Sequence, residues 1–238
     1  MHTNHQNPKC ILVTGAQGGI GQEIIKKLTA EGIKIIAVDL NIEKLRHHAS
    51  ITHIEECDIS DPIQVETLWH TLSQKNILVD GLINNAGIFP ACNWQQYTAE
   101  LAHKVINTNL LGAFFMSQAF ANQIQEGVII NISSVVAFIG SSDPIYGASK
   151  AGLIGLTKSL AVHLAPKIRI NAIAPTVVKT EMMKQVPPDV LAKYRHGELL
   201  SECVEPEAVA DAVLFLASSA SRHITGSTLD INNGVYLR

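Results

Sequence analysis

The sequence predicts an α/β fold in which a doubly wound, mainly parallel sheet of seven strands forms a single domain. Three observations support this prediction. Short, almost continuously apolar runs alternate with segments of helical periodicity, which is typical of parallel strands buried on both faces. A glycine-rich turn, VTGAQGGIG, lies between the first strand and the first helix. The chain of 238 residues approaches the upper limit for one hydrophobic core, which leaves no room for a separate substrate domain.

In the first half of the chain, strands and helices follow one another in regular order. Strands are predicted at residues 10–13, 33–38, 51–56 and 78–83, with helices at residues 20–30 and 62–74. The first helix has apolar residues on one face and stops at Gly32. The second strand is a β-branched run that Asp39 closes.

The second half continues this pattern with one interruption. Helices are predicted at residues 99–125, 145–164 and 206–217, and strands at residues 127–132, 168–173 and 228–231. Residues 176–205 break the alternation with Pro187-Pro188, several charges and Met182-Met183. A segment of this length without a clear period is usually functional or mobile in a compact domain. We therefore expect a substrate lid there, with room for a small helix.

The composition excludes several kinds of partner. The formal net charge is −3, and lysines and arginines are scattered, which argues against nucleic-acid binding. The N-terminal stretch MHTNHQNPK lacks the apolar core of a signal peptide, and no apolar run reaches the roughly 18 residues that a membrane span needs. We therefore expect a cytoplasmic protein without a membrane partner. The four cysteines show no C-x-x-C pairing and are expected to be reduced thiols.

The first turn is a candidate phosphate cradle. Its glycines, Gly15, Gly19 and Gly21, follow the spacing G-x-x-x-G-x-G rather than G-x-G-x-x-G. Free backbone N–H groups and the helix dipole at such a turn would stabilise an anion. Glycine also lets the backbone pass close to a pyrophosphate and adopt positive φ. A turn that only connects the two elements is the alternative.

Asp39 indicates which dinucleotide this turn would bind. It follows the glycine turn by close to the interval of about 20 residues that separates this turn from the carboxylate that binds the adenosine ribose in dinucleotide-binding folds. A carboxylate here favours a free 2′-hydroxyl and repels a 2′-phosphate. The neighbouring positions offer no arginine; they are Gln17, Gly18, Leu40 and Asn41. The sequence therefore predicts NAD rather than NADP, with a helix N-cap as the alternative role of Asp39.

Tyr146 and Lys150 stand four residues apart in a predicted helix, so their side chains share one face. A phenol with a pKa near 10 is a poor base at pH 7, but a positive charge a few Å away favours the phenolate. The pair is therefore expected to have a lowered tyrosine pKa and to serve proton transfer. An ordinary surface pair is the alternative.

Together these residues resemble the short-chain dehydrogenases/reductases, over nearly the whole chain. TGAQGGIG resembles the family's T-G-x-x-x-G-x-G, Asn84-Asn85-Ala86-Gly87 its N-N-A-G, and Tyr146 with Lys150 its Y-x-x-x-K. Residues 107–112 resemble the segment with the family's catalytic asparagine, and residues 131–135 the strand end with its catalytic serine. The resemblance implies a Rossmann fold.

The resemblance also implies a catalytic set, which is Asn109, Ser134, Tyr146 and Lys150. Local similarity favours Ser134, while the spacing to Tyr146 leaves Ser133 as the alternative, otherwise a buried strand hydroxyl. In the implied roles, Tyr146 transfers the hydroxyl proton and Ser134 hydrogen-bonds the substrate oxygen. Lys150 lowers the tyrosine pKa and binds nicotinamide-ribose hydroxyls, and Asn109 holds a water that links Lys150 to solvent.

The implied cofactor contacts extend around the carboxyl ends of the strands. They are Gly15, Gln17, Gly19, Ile20, Gly21, Asp39, Asp58, Ile59, Asn85, Ala86, Gly87, Tyr146, Lys150, Val178 and Thr180. Two have plain structural alternatives, since Asp58 could cap the following turn and Thr180 could cap a lid helix.

Two positions depart from the family's pattern. Pro175-Thr176 stands where the family often has Pro-Gly, and Asn232-Asn233-Gly234 replaces its Asp-Gly-Gly. Asparagine tolerates left-handed backbone better than most residues, so a similar turn is expected at the second position. Subunit packing at the C-terminal end is the property that these changes put in question.

The sequence thus predicts an NAD(H)-dependent oxidoreductase acting on a secondary alcohol or ketone. An NADP-dependent 3-oxoacyl carrier-protein reductase, a nucleotide-sugar epimerase and a non-catalytic NAD-binding regulator or scaffold are the alternatives. A largely apolar pocket is expected from Phe89, Pro90, Val136, Phe138, Ile139, Ile145, Met182 and Met183. The family resemblance and an apolar helix predict a homotetramer or homodimer; that helix contains Leu110, Leu111, Phe114, Phe115 and Met116.

Overall fold

A computed structural model describes residues 7–46, 48–186 and 188–237. Within these residues it shows a seven-stranded parallel sheet with the order β3-β2-β1-β4-β5-β6-β7. The strands are β1 (Cys10–Thr14), β2 (Lys34–Asp39), β3 (His53–Glu56), β4 (Gly81–Asn84), β5 (Gly127–Ile132), β6 (Ile168–Pro175) and β7 (Thr228–Ile231). Residues 1–6 of the N-terminal stretch and Pro187 of the predicted lid lie outside the described residues.

Helices cover both faces of the sheet. They are α1 (Gly19–Ala30), α2 (Pro62–Gln74), α3 (Ala99–Ile106), α4 (Gly112–Gln123), α5 (Val136–Ile139), α6 (Pro144–Leu164), α7 (Pro188–Arg195) and α8 (Pro206–Ala217). Successive strand residues point to opposite faces, so Ile11 and Val13 of β1 pack with α1 and α8, while Leu12 packs with α2 and α4. The predicted doubly wound α/β fold is confirmed.

The topology places the chemistry at one edge of the sheet. All strands are parallel, so their carboxyl ends meet along the same edge. The order reverses between β1 and β4, and ligands of doubly wound folds bind outside the carboxyl ends at such a switch point. The glycine turn follows β1, and Asn85 to Gly87 follow β4, directly at this reversal.

The predicted continuous helix at residues 99–125 is wrong. The chain forms α3, then a π-helical turn over Asn107–Leu111, then α4. A π-helical turn contains one extra residue per turn, which shifts the faces of the two flanking helices relative to each other. As a result the Asn109 side chain turns inward and is only 1% exposed.

The fourth strand begins later than predicted, at Gly81 rather than at residue 78. Asn76 takes a left-handed φ of 54°, and Leu78 is 82% exposed. The chain reaches β1 only at Asp80, whose main-chain N–H donates to the carbonyl of Cys10 at 2.8 Å. Apolar character predicted the strand, but the position of its neighbour decides where the ladder starts. The third strand likewise begins at His53, two residues later than predicted.

The segment predicted as a lid contains the expected small helix. A short 3₁₀-helix, Glu181–Gln185, precedes α7 within this segment.

Among the described residues, no helix has both the length and the apolar character that crossing a membrane requires.

Candidate active site

The glycine turn packs so closely against neighbouring residues that side chains would not fit at its glycines. Gly15 has φ of +63°, and a Cβ there would lie 2.7 Å from the Cα of Ala86. A Cβ on Gly21 would overlap the carbonyl oxygen of Gly15. At Gly19 a Cβ would lie 3.0 Å from Cγ2 of Thr180, which belongs to the lid. The three glycines are therefore required by close packing in the turn and against its neighbours, and the binding of a phosphate there stays a prediction.

The loop after β4 braces this turn. The Thr14 hydroxyl accepts hydrogen bonds from the main-chain N–H groups of Asn85 and Ala86, both at 3.1 Å. The Asn85 side chain donates to the carbonyls of Thr14 (3.1 Å) and Gly15 (2.9 Å). Asn85 thereby ties the two loops on either side of the sheet reversal and holds the carbonyls of the glycine turn in place.

Asp39 lies at the end of β2, beside the glycine turn. Its Oδ2 accepts from the main-chain N–H of Gln17 at 2.8 Å, and its Oδ1 accepts from that of Asn41 at 3.3 Å. The residues that follow form turns rather than a helix, so the alternative role as a helix N-cap is wrong. The carboxylate is only partly buried and adjoins the cradle.

Asp58 and Ile59 follow β3. Asp58 Oδ1 accepts from the main-chain N–H of Ser60 (2.9 Å) and from its hydroxyl (2.6 Å), so it caps the following turn as the structural alternative predicted. Ile59 is 6% exposed and packs closely on Gly112 of α4. Both residues thus have structural roles, and their contact with an adenine stays a prediction.

The α6 helix carries Tyr146 and Lys150 on successive turns. Asp143 is its N-cap and accepts from the main-chain N–H of Tyr146 at 3.1 Å, while Pro144 occupies the first helical turn. The Lys150 Nζ donates to the carbonyl of Ile132 at 2.8 Å and lies 5.8 Å from the centre of the Tyr146 ring. The predicted pairing on one face is therefore present.

The predicted lowering of the tyrosine pKa is wrong for this structure. Burial raises the pKa of Tyr146 to about 12, because an apolar environment disfavours the phenolate; the Ser134 hydrogen bond opposes this rise and the charge of Asp143 adds to it. Burial also lowers the pKa of Lys150 to about 8, since that ammonium is likewise removed from water. Burial is thus the largest cause of the shift in the pKa of both side chains.

The structure separates the two adjacent serines at the end of β5. The Ser133 hydroxyl donates to the main-chain carbonyl of Lys150 at 2.8 Å and is 3% exposed. It is therefore the buried strand hydroxyl of the alternative interpretation. The Ser134 hydroxyl accepts from the main-chain N–H of Val136 at 3.4 Å and lies close enough to Tyr146 to lower the pKa of that phenol. The geometry thus favours Ser134 as the serine that meets a substrate.

Asn109 holds the loop after β4 against α6. Its Oδ1 accepts from the main-chain N–H of Ile88 (2.8 Å), and its Nδ2 donates to the Ile88 carbonyl (3.0 Å) and to the Ser149 hydroxyl (3.1 Å). A Cβ on Gly87 would lie 3.3 Å from both Asn109 Oδ1 and Lys150 Nζ. Gly87 therefore lets the amide and the ammonium approach each other.

A pocket opens between the start of α1, three residues of the predicted catalytic set and the segment predicted as a lid. Its wall includes Ile20, Val178 and Thr180 together with Ser134, Tyr146 and Lys150. Thr180 makes no side-chain cap to the 3₁₀-helix that follows it, so the alternative capping role is wrong. Four of the predicted apolar residues line the pocket, namely Phe89, Val136, Met182 and Met183. Phe138 instead stacks on Tyr236 (ring centroids 4.9 Å apart), and Ile139 is 45% exposed.

Comparison with known proteins identifies the family. The family model described as enoyl-(acyl carrier protein) reductase matches residues 15–236, which is nearly the whole chain. The chain belongs to the short-chain dehydrogenase/reductase family. It is therefore an oxidoreductase enzyme with a Rossmann fold.

Relatives in this family act on several substrates. A 3-oxoacyl-[acyl-carrier-protein] reductase from Aquifex aeolicus is 34% identical, covering 96% of this chain and 97% of its own. A 3α-hydroxysteroid dehydrogenase from Mediterraneibacter gnavus is also 34% identical, covering 94% and 95%. The crystal structure of a 3-ketoacyl-(acyl-carrier-protein) reductase from Brucella melitensis, complexed with NADH, is 28% identical with a TM-score of 0.86, covering 96% and 98%.

Two residues of this short-chain dehydrogenase/reductase were missed by the sequence reasoning. Tyr194 of α7 lines the pocket, with its hydroxyl 3.0 Å from the Ser141 hydroxyl and 2.7 Å from that of Ser142. No local pattern predicts a contact between segments so far apart in the chain. Asp143 also bonds the Tyr97 hydroxyl at 2.5 Å, and here a signal existed, since Asp before Pro marks a helix start.

Proposed function

We propose that this protein interconverts a secondary alcohol and a ketone with NAD(H) as the cofactor. One observation supports this most strongly: Ser134, Tyr146 and Lys150 line one pocket together with Ile20, which lies between Gly19 and Gly21 of the glycine turn. In this proposal the free N–H groups at the start of α1 bind the pyrophosphate, and the close packing of Gly15, Gly19 and Gly21 leaves no room for side chains in the turn. The residues present therefore fit a dinucleotide. When bound, the nicotinamide supplies or accepts the hydride.

The chain's own residues handle the proton and the substrate oxygen. Tyr146 has a pKa of about 12 and is protonated at neutral pH, so it is suited to donate a proton to the oxygen of a ketone as that oxygen gains charge. Ser134 hydrogen-bonds the same oxygen and orients the substrate. Lys150, anchored on Ile132, holds a positive charge beside the phenol and the ribose hydroxyls. Asn109 fixes the loop that adjoins Lys150 and, in our proposal, holds a water near it.

The substrate class follows from the relatives and from the pocket. Relatives named 3-oxoacyl-[acyl-carrier-protein] reductase and acetoacetyl-CoA reductase favour a 3-oxoacyl thioester, the substrate of the alternative interpretation, over an unspecified alcohol. The apolar side chains of Phe89, Met182 and Met183 suit an acyl chain. We therefore propose 3-oxoacyl thioesters as the first substrates to test, and a hydroxysteroid as the second because of the hydroxysteroid dehydrogenase relative.

The test is a turnover assay with a 3-oxoacyl thioester, a 3-oxosteroid and a small aliphatic ketone, each with NADH and with NADPH. We expect reduction of the thioester with NADH. Binding of NADH without turnover of any substrate would favour the NAD-binding regulator. Epimerisation of a nucleotide sugar without net oxidation would favour the epimerase.

Cofactor choice gives a mutational prediction at Asp39. We expect Asp39→Asn to reduce the preference for NAD over NADP roughly tenfold or more, because it removes the charge that repels a 2′-phosphate. The amide oxygen of Asn can still accept the Gln17 N–H, so the turn keeps its brace. The measurement is kcat/KM for both cofactors.

Glu56 provides the matched control for this prediction. It lies opposite Asp39 in the neighbouring strand and is exposed. Glu56→Gln removes one negative charge nearby without touching the brace, so the cofactor ratio should change little. A wild-type preference for NADP, or equal shifts in both variants, would contradict the assignment of Asp39.

We also propose that the protein self-associates. The prediction that Met116 belongs to an exposed apolar surface is wrong, because its side chain is fully buried in the core. The α6 helix, however, exposes Ala148, Ala151, Gly155 and Val162 on one face, the last 80% exposed, together with Lys158. Leu111, 38% exposed, adds to the apolar surface around the π-helical turn. A dimer or a tetramer would cover this face.

The cytoplasmic location of the protein stays a prediction.

Light scattering at micromolar concentration tests the assembly. We expect the mass of a dimer or a tetramer for the wild type and a smaller assembly for Gly155→Arg. A side chain at Gly155 meets nothing within 4 Å in the single chain, so this variant leaves the fold intact. A monomeric wild type would refute the proposal.

A further inference from the structure

A buried carboxylate follows the small helix of the lid. Glu198 lies three residues beyond α7, and its side chain is only 4% exposed. Its Oε1 accepts from the Thr176 hydroxyl at 2.9 Å, and its Oε2 accepts from Asn233 Nδ2 at 3.2 Å and from Arg195 Nε at 3.1 Å. We refer to Glu198 and these three partners as the Glu198 clamp.

Two partners in the clamp come from the ends of neighbouring strands. Thr176 directly follows β6, and its N–H donates to the carbonyl of Ile231 in β7 at 2.9 Å. Asn233, just past β7, has a left-handed φ of 52°, and its carbonyl accepts from the N–H groups of Leu199 (2.7 Å) and Leu200 (3.2 Å). The clamp therefore joins the lid to the rigid sheet at two points.

Thr176 and Asn233 are also two of the three residues that depart from the family's pattern, the third being Asn232. The common Pro-Gly and Asp-Gly-Gly would place glycine at each of them, and glycine has no side chain to donate to a carboxylate. The side-chain bonds from the strand ends to Glu198 thus exist in this chain because of both departures together. This explains why a carboxylate can be buried here, since burial of an unpaired one is costly.

The clamp and the pocket are joined through α7. Tyr194, the second-last residue of α7, faces the pocket, with its ring centroid 6.4 Å from that of Phe89. The Tyr194 hydroxyl bonds Ser141 and Ser142 on the far side. This helix is therefore held at two places, by its tyrosine over the catalytic set and by Glu198 at the sheet.

Building on the proposed function, we propose that Glu198 is a positioning residue that fixes α7 and Tyr194 over the substrate pocket. It does so by binding the end of the lid to the carboxyl ends of β6 and β7. The clamp sets how closed the substrate side of the pocket is, whereas the glycine cradle and Lys150 lie outside it. Its loss should therefore weaken substrate binding and leave the cofactor site and the chemical step unchanged.

Hydrogen exchange of residues 188–200 tests the clamp without any turnover. We expect Glu198→Ala to speed amide exchange in this segment roughly tenfold, because hydrogen bonds to a buried charge are among the stronger ones in a protein. Glu202→Ala is the matched control, since Glu202 lies in the same lid and its side chain is exposed. Equal exchange in the wild type and in Glu198→Ala would overturn the proposal.

Steady-state kinetics test the consequence for the substrate. We expect Glu198→Ala to raise the KM for the ketone about tenfold, with kcat and the Kd of NADH within about twofold of the wild type. Thr176→Val should show a smaller change in the same direction, and Thr176→Ser, which keeps the hydroxyl, should restore wild-type KM. Because Thr176 also lines the pocket, amide exchange of residues 188–200 in Thr176→Val and Thr176→Ser shows whether its effect on KM comes through the clamp; Thr176→Val replaces Glu198→Ala if the latter does not fold. Loss of kcat with unchanged KM, or no rescue by serine, would overturn the proposal.

The two measurements also separate this inference from the proposed function. If exchange in the lid responds as expected but no alcohol or ketone is turned over, the clamp stands and the proposed function fails. If ketone reduction is observed while neither exchange nor KM responds to Glu198→Ala, the proposed function stands and the clamp fails.

Discussion

Replacement of Tyr146 by phenylalanine is expected to lower turnover by about 10²–10⁴-fold, the usual contribution of a positioned acid or base. The substitution removes the phenolic hydroxyl and keeps the ring, which packs against Phe89 with ring centroids 4.7 Å apart. Substrate packing should therefore persist while proton transfer is lost. The measurement is kcat with the best ketone, together with a fluorescence titration of NADH, whose affinity should change little.

The two serines provide the control for this prediction. Ser134→Ala should also lower turnover, since this hydroxyl adjoins Tyr146, whereas Ser133→Ala removes only a bond to the main chain of Lys150. Turnover of Tyr146→Phe near that of the wild type would refute the assignment of the proton donor. A larger loss in Ser133→Ala than in Ser134→Ala would reverse the choice between the serines.

Replacement of Gly19 by valine is expected to weaken NADH binding at least about tenfold, because a branched side chain fills the cradle where the phosphates approach. The structure adds a second effect, since the new Cβ would lie 3.0 Å from Thr180 Cγ2 and press on the lid. Thr180→Ser deletes that methyl group and keeps the hydroxyl. NADH titration of both variants and of their combination separates the two effects.

If the cradle binds pyrophosphate, the double variant should still bind NADH weakly. Recovery of wild-type affinity in the double variant would mean that lid crowding alone caused the loss. NADH binding by Gly19→Val as tight as in the wild type would leave the turn as a simple connection. Circular dichroism checks that each variant is folded.

Much of the fold could be predicted because its signals are local. Each strand was found from its apolar run, and the glycine turn from its position after the first run. The wrong predictions concern element bounds that depend on contacts with a neighbouring strand or helix. The start of β4 depends on where the chain meets β1, and the break at Asn107–Leu111 depends on how Asn109 packs between Ile88 and Ser149.

Residue spacing predicted which side chains lie close together in the candidate site, but it did not predict their pKa values. The interval of four residues in a helix places Tyr146 and Lys150 on one face, whatever surrounds them. Whether the tyrosine pKa rises or falls depends on burial, which no residue spacing reveals, and the structure raises it. The choice between Ser133 and Ser134 likewise depends on which way each hydroxyl points at the end of β5.

The sequence by itself thus determined the order of the elements, the glycine turn after β1, the shared helix face of Tyr146 and Lys150 and the position of Asp39 at a strand end. These depend on residue types and on spacings within one or two turns or strands. Only the tertiary structure decided that Ser133 binds main chain, that Tyr194 reaches Ser141 and Ser142, and that Glu198 joins Thr176 to Asn233. The last two are contacts between segments distant in sequence, and all three depend on burial and side-chain direction that exist only once the sheet has formed.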